Sequence, residues 1–125
     1  MRENNIEIKG FHAHIYYDAA SRGVAAHVRE ELGARFEVQL GSWHDNPVGP
    51  HPKAMYQLAF LPNQFANVVS WLMLNRGGLD VLVHPETGDE VVDHTDHSLW
   101  LGEKLDLNIE RLKKYVQART SSEVS

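Results

Sequence analysis

The sequence contains no cysteine among its 125 residues. Disulfide bridges, thiolate metal sites and a cysteine nucleophile are therefore excluded. No apolar run approaches the ~18 residues that a membrane span requires, and the first ten residues, MRENNIEIKG, lack the apolar stretch of a signal peptide. These absences predict a cytoplasmic protein that does not interact with a membrane.

Positive charge is also scarce, with 12 Lys and Arg against 17 Asp and Glu and a formal net charge of −5. No cluster of Lys and Arg resembles a phosphate-binding patch, so a nucleic-acid partner is not expected. Hydrophobic residues make up 42% of the chain and charged residues 23%, close to the globular average. We therefore expect one compact domain over residues 1–125.

The hydrophobic periodicity predicts the element order β-α-β-β-α-β. Strands are expected over residues 6–17, 35–40, 54–61 and 79–83. One helix is expected from an N-cap at Asp18 to about Leu32, ending at Gly33, and a second from Pro62 to the glycines at 77–78. This order is typical of the ferredoxin-like α+β fold, a four-stranded antiparallel sheet with both helices on one face.

The chain continues beyond this unit in a C-terminal extension. Val91 and Val92 are predicted to begin a short strand. Leu105, Ile109, Leu112 and Val116 are spaced four, three and four residues apart, which predicts an amphipathic C-terminal helix. The long loop over residues 41–52 is rich in glycine and proline, and such a loop in a small domain is often functional.

Histidine is abundant, with eight copies in 125 residues. Side chains alternate along a strand, so His12, His14 and Tyr16 should share the face of the first strand that points away from the helices. In the ferredoxin-like topology the fourth strand lies antiparallel to the first. The expected topology therefore brings His84 close to His12.

Converging imidazoles without cysteine suggest a site for Fe, Zn, Cu, Ni or Mn. Two histidines with one carboxylate from Glu86, Asp93 or Asp96 would make such a site, and so would three histidines alone. A histidine on a strand can also be purely structural. His94 and His97 could equally be ligands, acid–base groups or solvated loop residues.

Three segments together resemble the DOPA 4,5-dioxygenase family. They are FHAHIYYD (11–18), LGSWHDNPVGPHPKAMYQLAF (40–60) and the stretch 71–105, which contains LDVLVHPETGD and DHTDHSLWLG. The resemblance covers roughly residues 8–107. It implies a ferredoxin-like fold and extradiol ring cleavage of a catechol, such as L-DOPA or caffeate, with Fe(II) as cofactor and O2 as co-substrate.

On this interpretation the site residues fall into three groups. The expected metal ligands are His12, His14 and His84. The catalytic candidates are His94 and His97, as acid–base groups or supports of the ligands, and His51, which could also close the pocket or bind a substrate carboxylate. The substrate-binding candidates are Tyr16, Arg22 and Trp43.

Three other functions fit the same residues. The chain could be a non-catalytic binder of small aromatic molecules or metal, a Zn-dependent hydrolase or isomerase, or a dimerisation module whose histidine face a partner buries. A four-stranded sheet with one open face is commonly covered by an extension or by a second copy. We therefore expect a homodimer.

Overall fold

A computed structural model describes residues 5–124, with side chains described over residues 5–120. Within that range the strands form a single antiparallel sheet in the order β2-β3-β1-β4-β5. The strands are β1 (Phe11–Tyr16), β2 (Gln39–His44), β3 (Met55–Phe60), β4 (Val81–Pro85) and β5 (Leu99–Leu101), and the helices are α1 (Arg22–Arg35), α2 (Phe65–Asn75), α3 (Glu90–His94) and α4 (Ile109–Val124).

The first four strands and two helices follow the β-α-β-β-α-β order, which confirms the α+β, ferredoxin-like prediction. The fifth strand lengthens the sheet beyond β4. A short 3-10 turn, Pro62–Gln64, precedes α2. Among the helices of the described residues, none has the length and apolar character needed to cross a bilayer.

The predicted alternation along β1 is confirmed. Ala13 and Ile15 are fully buried against the helices, while Tyr16 belongs to a separate apolar cluster on the opposite face. Burial of aliphatic side chains between sheet and helices contributes about 25 cal/mol for each Å² of apolar surface removed from water. The main core is formed by residues from both layers: Ala13, Ile15, Tyr17, Ala25, Val28, Leu32, Tyr56, Leu58, Phe60, Val68, Val69, Leu72, Leu79, Val81 and Val83.

The boundaries of the first helix differ from the prediction. Ser21, not Asp18, is the N-cap residue, and Asp18 Oδ1 instead accepts hydrogen bonds of 2.9 Å from the backbone and hydroxyl of Ser21. The helix also continues through Gly33 to Arg35. The second strand consequently starts later than predicted and extends into the expected loop, with an irregular register between Leu40 and Trp43.

The expected strand at Val91 and Val92 is wrong, because these residues lie in the short helix α3. The side chain of Asp89 accepts a 3.2 Å hydrogen bond from the backbone of Val92, so it caps the N-terminus of α3. This local hydrogen bond outweighs the β-propensity of two adjacent valines.

The C-terminal extension covers part of the sheet face opposite α1 and α2. Leu105 and Leu107 pack against a cluster of Tyr16, Met55 and Leu82. The amphipathic helix begins at Ile109, later than the predicted Leu105, and it buries Leu112. The extension therefore supplies cover that a partner would otherwise have to provide, and the homodimer stays a prediction.

Two leucines of α2 allow a matched test of this packing. Leu72 is fully buried, whereas Leu74 is 85% exposed. We expect Leu72→Ala to lower the free energy of unfolding by about 2–5 kcal/mol, since it leaves a cavity in the core. Leu74→Ala should change it by less than about 0.5 kcal/mol. Urea unfolding measures both, and equal effects would contradict the assignment of the core face.

Candidate metal centre

The pairing of β1 with β4 brings three histidines together, as the topology predicted. His12 and His84 are direct cross-strand partners. Their ring centroids are 5.2 Å apart, and the His14 ring lies 5.1 Å from that of His84. One nitrogen from each of the three rings lies within 4.8 Å of the others, so these imidazoles could hold a single metal ion.

Two further histidines reach this group from outside the strands. His51 comes from the loop between β2 and β3, and its ring centroid is 4.3 Å from that of His14. His94, the last residue of α3, has its ring centroid 4.1 Å from that of His84, with the two rings tilted by 37°. His14, His51 and His94 form a second possible metal-binding triad, which shares His14 with the first.

Backbone carbonyls fix the tautomers of two of these rings. His84 Nδ1 lies 3.0 Å from the carbonyl oxygen of Pro85, and His94 Nδ1 lies 2.6 Å from that of Glu90. A carbonyl only accepts, so each Nδ1 carries the proton and donates it. In the neutral rings, the Nε2 of each is left with a free lone pair, the state that a metal ligand needs.

The carboxylate of Glu86 fixes the tautomer of His12, because it accepts a hydrogen bond from His12 Nδ1. Glu86 Oε1 is 2.9 Å from His12 Nδ1 and 3.6 Å from His84 Nδ1. The hydrogen bond from His12, opposed by partial burial, holds the pKa of the Glu86 carboxyl below its usual value. Glu86 was one of the carboxylates considered as a ligand, and here it orients histidines instead.

His14 provides the test of whether a cation fits. Its Nε2 lies 3.0 Å from His84 Nε2, and its buried Nδ1 has no hydrogen-bond partner among the described residues. Two nitrogens that each lie about 2.1 Å from one ion, at a right angle, are about 3.0 Å apart. The facing nitrogens and the orphaned one therefore fit a metal-binding role better than a closed hydrogen-bond network.

Burial keeps the three buried imidazoles of the cluster, His14, His51 and His84, uncharged. It lowers the pKa of His51 to about 3 and that of His84 to about 4, with neighbouring imidazoles adding to both shifts. The pKa of His14 is also far below its usual value, through burial first and then through His51 and His84. At neutral pH these rings present lone pairs without positive charge, so they attract a cation and do not repel it.

The cluster opens into a small cavity of about 190 Å³. Gln57 of β3 and Glu90 of α3 line it, and α4 contributes Leu112 and Tyr115. Glu90 is held by an ion pair with Arg119 of α4, with 3.1 Å between Oε2 and Nη2. The extension thus forms one wall of the site.

Of two other predicted residues, Tyr16 contacts a cluster histidine and His97 contacts Asp93. The Tyr16 hydroxyl lies 2.7 Å from His51 Nδ1, and its ring stacks on Trp100 at 5.8 Å. His97 Nδ1 lies 2.9 Å from Asp93 Oδ1, and Asp93 is buried. Neither Tyr16 nor His97 lines the cavity. Their assigned contact with substrate and role in catalysis stay predictions, and the geometry favours a positioning role for both.

Arg22 and Trp43 are not brought to the cluster. The Arg22 guanidinium lies 4.1 Å above the Trp43 ring and pairs with Asp45, with 3.0 Å between Nε and Oδ1. Tyr17 donates a 2.7 Å hydrogen bond to the same carboxylate. Trp43 packs against the main core, on the helix side of the sheet. Substrate binding by this pair stays a prediction that the cavity lining does not support.

The sequence interpretation missed Glu90, Gln57 and Tyr115. Gln57 is the neighbour of His14 on β3, so its place on the histidine face follows from the strand register. Glu90 lies four residues before His94, a signal that becomes readable only when 90–94 is recognised as helical. Tyr115 is placed by the docking of α4, which no local pattern specifies.

The fold and the site thus define a small ferredoxin-like protein with a group of five imidazoles, three of them buried. Comparison with known proteins identifies its family. The model of the Dopa 4,5-dioxygenase family matches residues 11–111. The chain belongs to this family, and its membership supports an oxygenase.

Individual relatives agree with this assignment. A DOPA 4,5-dioxygenase from Amanita muscaria is 37% identical over 115 residues, covering 85% of this chain and 50% of that protein. An uncharacterized 21.2 kDa protein from Botryotinia fuckeliana is 35% identical over 123 residues, covering 89% of this chain and 67% of that protein. The chain spans about half the length of the first relative and two thirds of the second.

A solved structure is more similar still. The crystal structure of a candidate dioxygenase from Nostoc punctiforme has 72% sequence identity to this chain and a TM-score of 0.88. The match covers 91% of this chain and 99% of that one. The fold described above is therefore shared by an experimental structure over nearly its whole length.

The uncharged cluster predicts how the stability of the metal-free protein depends on pH. The pKa of an unfolded histidine is about 6.5, whereas the folded pKa of His51 is about 3 and that of His84 about 4. Below pH 6.5 the unfolded chain therefore binds protons that the folded chain does not. The free energy of unfolding should fall by up to about 1.4 kcal/mol per pH unit for each such imidazole.

Urea unfolding of chelator-treated protein between about pH 7 and pH 5 measures this slope, before most carboxylates titrate. The exposed His27 supplies the control, because His27→Ala should leave the slope unchanged. His51→Gln should reduce it. An equal slope in all three proteins would show that the cluster is not held neutral.

Proposed function

We propose that this protein is a metal-dependent extradiol dioxygenase, which uses Fe(II) and O2 to open the ring of a catechol such as L-DOPA or caffeate. The observation that carries the proposal is the 3.0 Å approach of His14 Nε2 to His84 Nε2 inside a buried, uncharged cluster. Membership of a dioxygenase family supports the use of O2.

His12, His14 and His84 are the proposed ligands. They come from two paired strands, so their positions are fixed by the sheet and not by mobile loops. When bound, Fe(II) supplies the one-electron chemistry that lets a catechol react with O2. The chain itself contributes orientation, proton transfer and exclusion of water.

His51 is the proposed proton acceptor for a catechol hydroxyl. Its low pKa, set by burial and by the neighbouring His94 and His84, leaves it uncharged at neutral pH. A negative charge that arrives beside it favours the imidazolium and so raises that pKa. The proton then moves to His51 as the catechol becomes charged, while the Tyr16 hydroxyl at Nδ1 holds the ring in place.

His94 is the proposed second proton carrier, which accepts the proton of the other catechol hydroxyl at its Nε2 lone pair and returns that proton as the ring opens. Its Nδ1 donates to the Glu90 carbonyl, which directs Nε2 away from the helix. Its ring centroid is 4.1 Å from that of His84, so it lies beside the proposed ligands. The wall formed by Leu112 and Tyr115 limits the access of water to this proton transfer.

Metal binding is the first expectation. We expect one Fe(II) per chain, and His84→Ala should weaken its affinity by about a hundredfold or more, since loss of an outer partner alone costs 10- to 100-fold. Anaerobic titration followed by metal analysis measures this. His27→Ala, which removes an exposed imidazole on α1, is the matched control and should bind like the parent protein.

Oxygen consumption is the second expectation. Fe(II)-loaded protein should consume O2 with L-DOPA, caffeate or protocatechuate and produce a yellow ring-opened product, and a chelator should abolish both signals. His94→Ala should lower kcat by about 10²- to 10⁴-fold while retaining the metal, because it removes a proton carrier. An oxygen electrode combined with absorbance spectroscopy records both.

Two outcomes would contradict the proposed function. If iron-loaded protein consumes no O2 with any catechol, the catalytic assignment fails for these substrates. A non-catalytic binder of metal or aromatic molecules then becomes the better description. Activity that persists without O2 would instead favour a hydrolase or isomerase.

A further inference from the structure

A second and larger cavity lies beside the histidine cluster. Its volume is about 500 Å³, against about 190 Å³ for the cavity above the cluster. His12 and Glu86 line both cavities, so the two cavities adjoin at the hydrogen-bonded pair that these residues form. A molecule in the larger cavity therefore lies next to a proposed metal ligand.

The sizes of the two cavities suggest that they hold different parts of one ligand. Ligand sites are usually about 300–1,000 Å³ and mostly apolar, with a few polar groups. The cavity above the histidines is below that range, whereas the neighbouring one is within it. A substituted catechol thus has room for its ring at the histidine cluster and for its substituent in the larger, neighbouring cavity.

The floor of the larger cavity is set by strand register. Ala59 of β3 lies directly opposite both His12 of β1 and Gln39 of β2, so the three side chains share one face of the sheet. The methyl group of Ala59 leaves the space beside His12 open. A larger side chain at position 59 would fill it.

The lining also indicates the chemistry of the ligand. Phe11, Phe60 and Val38, which pack against the main core on the helix side of the sheet, contribute apolar surface at the ends of the strands. The charged lining residues Lys9 and Glu37 are exposed, and Glu86 is already paired with His12. An uncharged group would be better accommodated inside this cavity than an ionised one.

We propose that this second cavity is a substrate subsite, which binds an extended, uncharged and mostly apolar substituent on the catechol ring, with Ala59 determining how large that substituent can be. This inference rests on the proposed function, since it takes the catechol ring to lie at the histidine cluster. The subsite favours an aryl-substituted catechol over a small alkyl catechol. It also disfavours the ionised substituents of L-DOPA and caffeate, so these two stand only as examples of the catechol class in the proposed function.

Binding to Fe(II)-loaded protein, held anaerobically so that nothing is turned over, tests the proposal. The probes are 4-methylcatechol and 4-phenylcatechol, measured by isothermal titration calorimetry. We expect the parent protein to bind 4-phenylcatechol about tenfold more tightly, the scale of burying one aromatic ring. Ala59→Phe should remove this preference and leave the affinity for 4-methylcatechol within about twofold.

Two further variants guard against a folding artefact. Ala59→Leu is a milder obstruction and should reduce the preference partially. Ala19→Phe places the same aromatic group on an exposed turn and should change neither affinity. All variants are compared at equal thermal stability and iron content, so a lost preference reports the cavity and not the fold.

Amide chemical shifts give a readout that needs no turnover. On addition of 4-phenylcatechol, Ala59, Phe60 and Leu61 should shift together with His51 of the cluster. If only His51 and its surroundings shift, or if Ala59→Phe weakens both catechols equally, the subsite is refuted while the proposed function stands. If neither catechol binds iron-loaded protein, both proposals fall.

Discussion

The antiparallel pairing of β1 with β4 is the constraint on which the histidine site depends. It sets His12 directly opposite His84, and the two-residue period of the strand then places His14 on the same face. A one-residue slip of β1 would turn His12 and His14 towards the helices and expose the core residues Ala13 and Ile15. Hydrophobic packing on one face therefore fixes the chemistry on the other.

The second requirement is burial. Taken alone, imidazoles on an open sheet face would be solvated, and their pKa values would stay near neutrality. The loop that carries His51, the helix α3 and the C-terminal extension cover them. This cover costs stability whenever the rings have no partner, as the orphaned Nδ1 of His14 illustrates. Such strain within a stable scaffold is a common feature of functional sites.

Much of this architecture was readable from the sequence because it depends on local periodicity. The alternation of FHAHIY specified which face carries the histidines, and the β-α-β-β-α-β order specified that His84 would meet His12. Both conclusions require only the strand period and the topology. The family resemblance added the expected chemistry, and the match over residues 11–111 confirmed the family.

The features that the sequence interpretation missed depend on a local helix cap and on contacts between distant segments. The two adjacent valines at 91–92 favour a strand. The Asp89 cap on α3 is a single hydrogen bond, which a pattern of hydrophobic residues does not reveal. Trp43 was a substrate-binding candidate from the sequence. Its partner on β3 is Tyr56, a core residue, so the sheet turns it to the helix side.

The sharing of His14 between two triads has a consequence for stoichiometry. A neutral imidazole has one free lone pair and so binds one ion at a time, and two divalent cations separated by a single ring would repel each other strongly in a poorly solvated site. We therefore expect the five histidines to hold a single ion. Whichever triad binds that ion, the imidazoles that do not bind it remain free to transfer protons beside it.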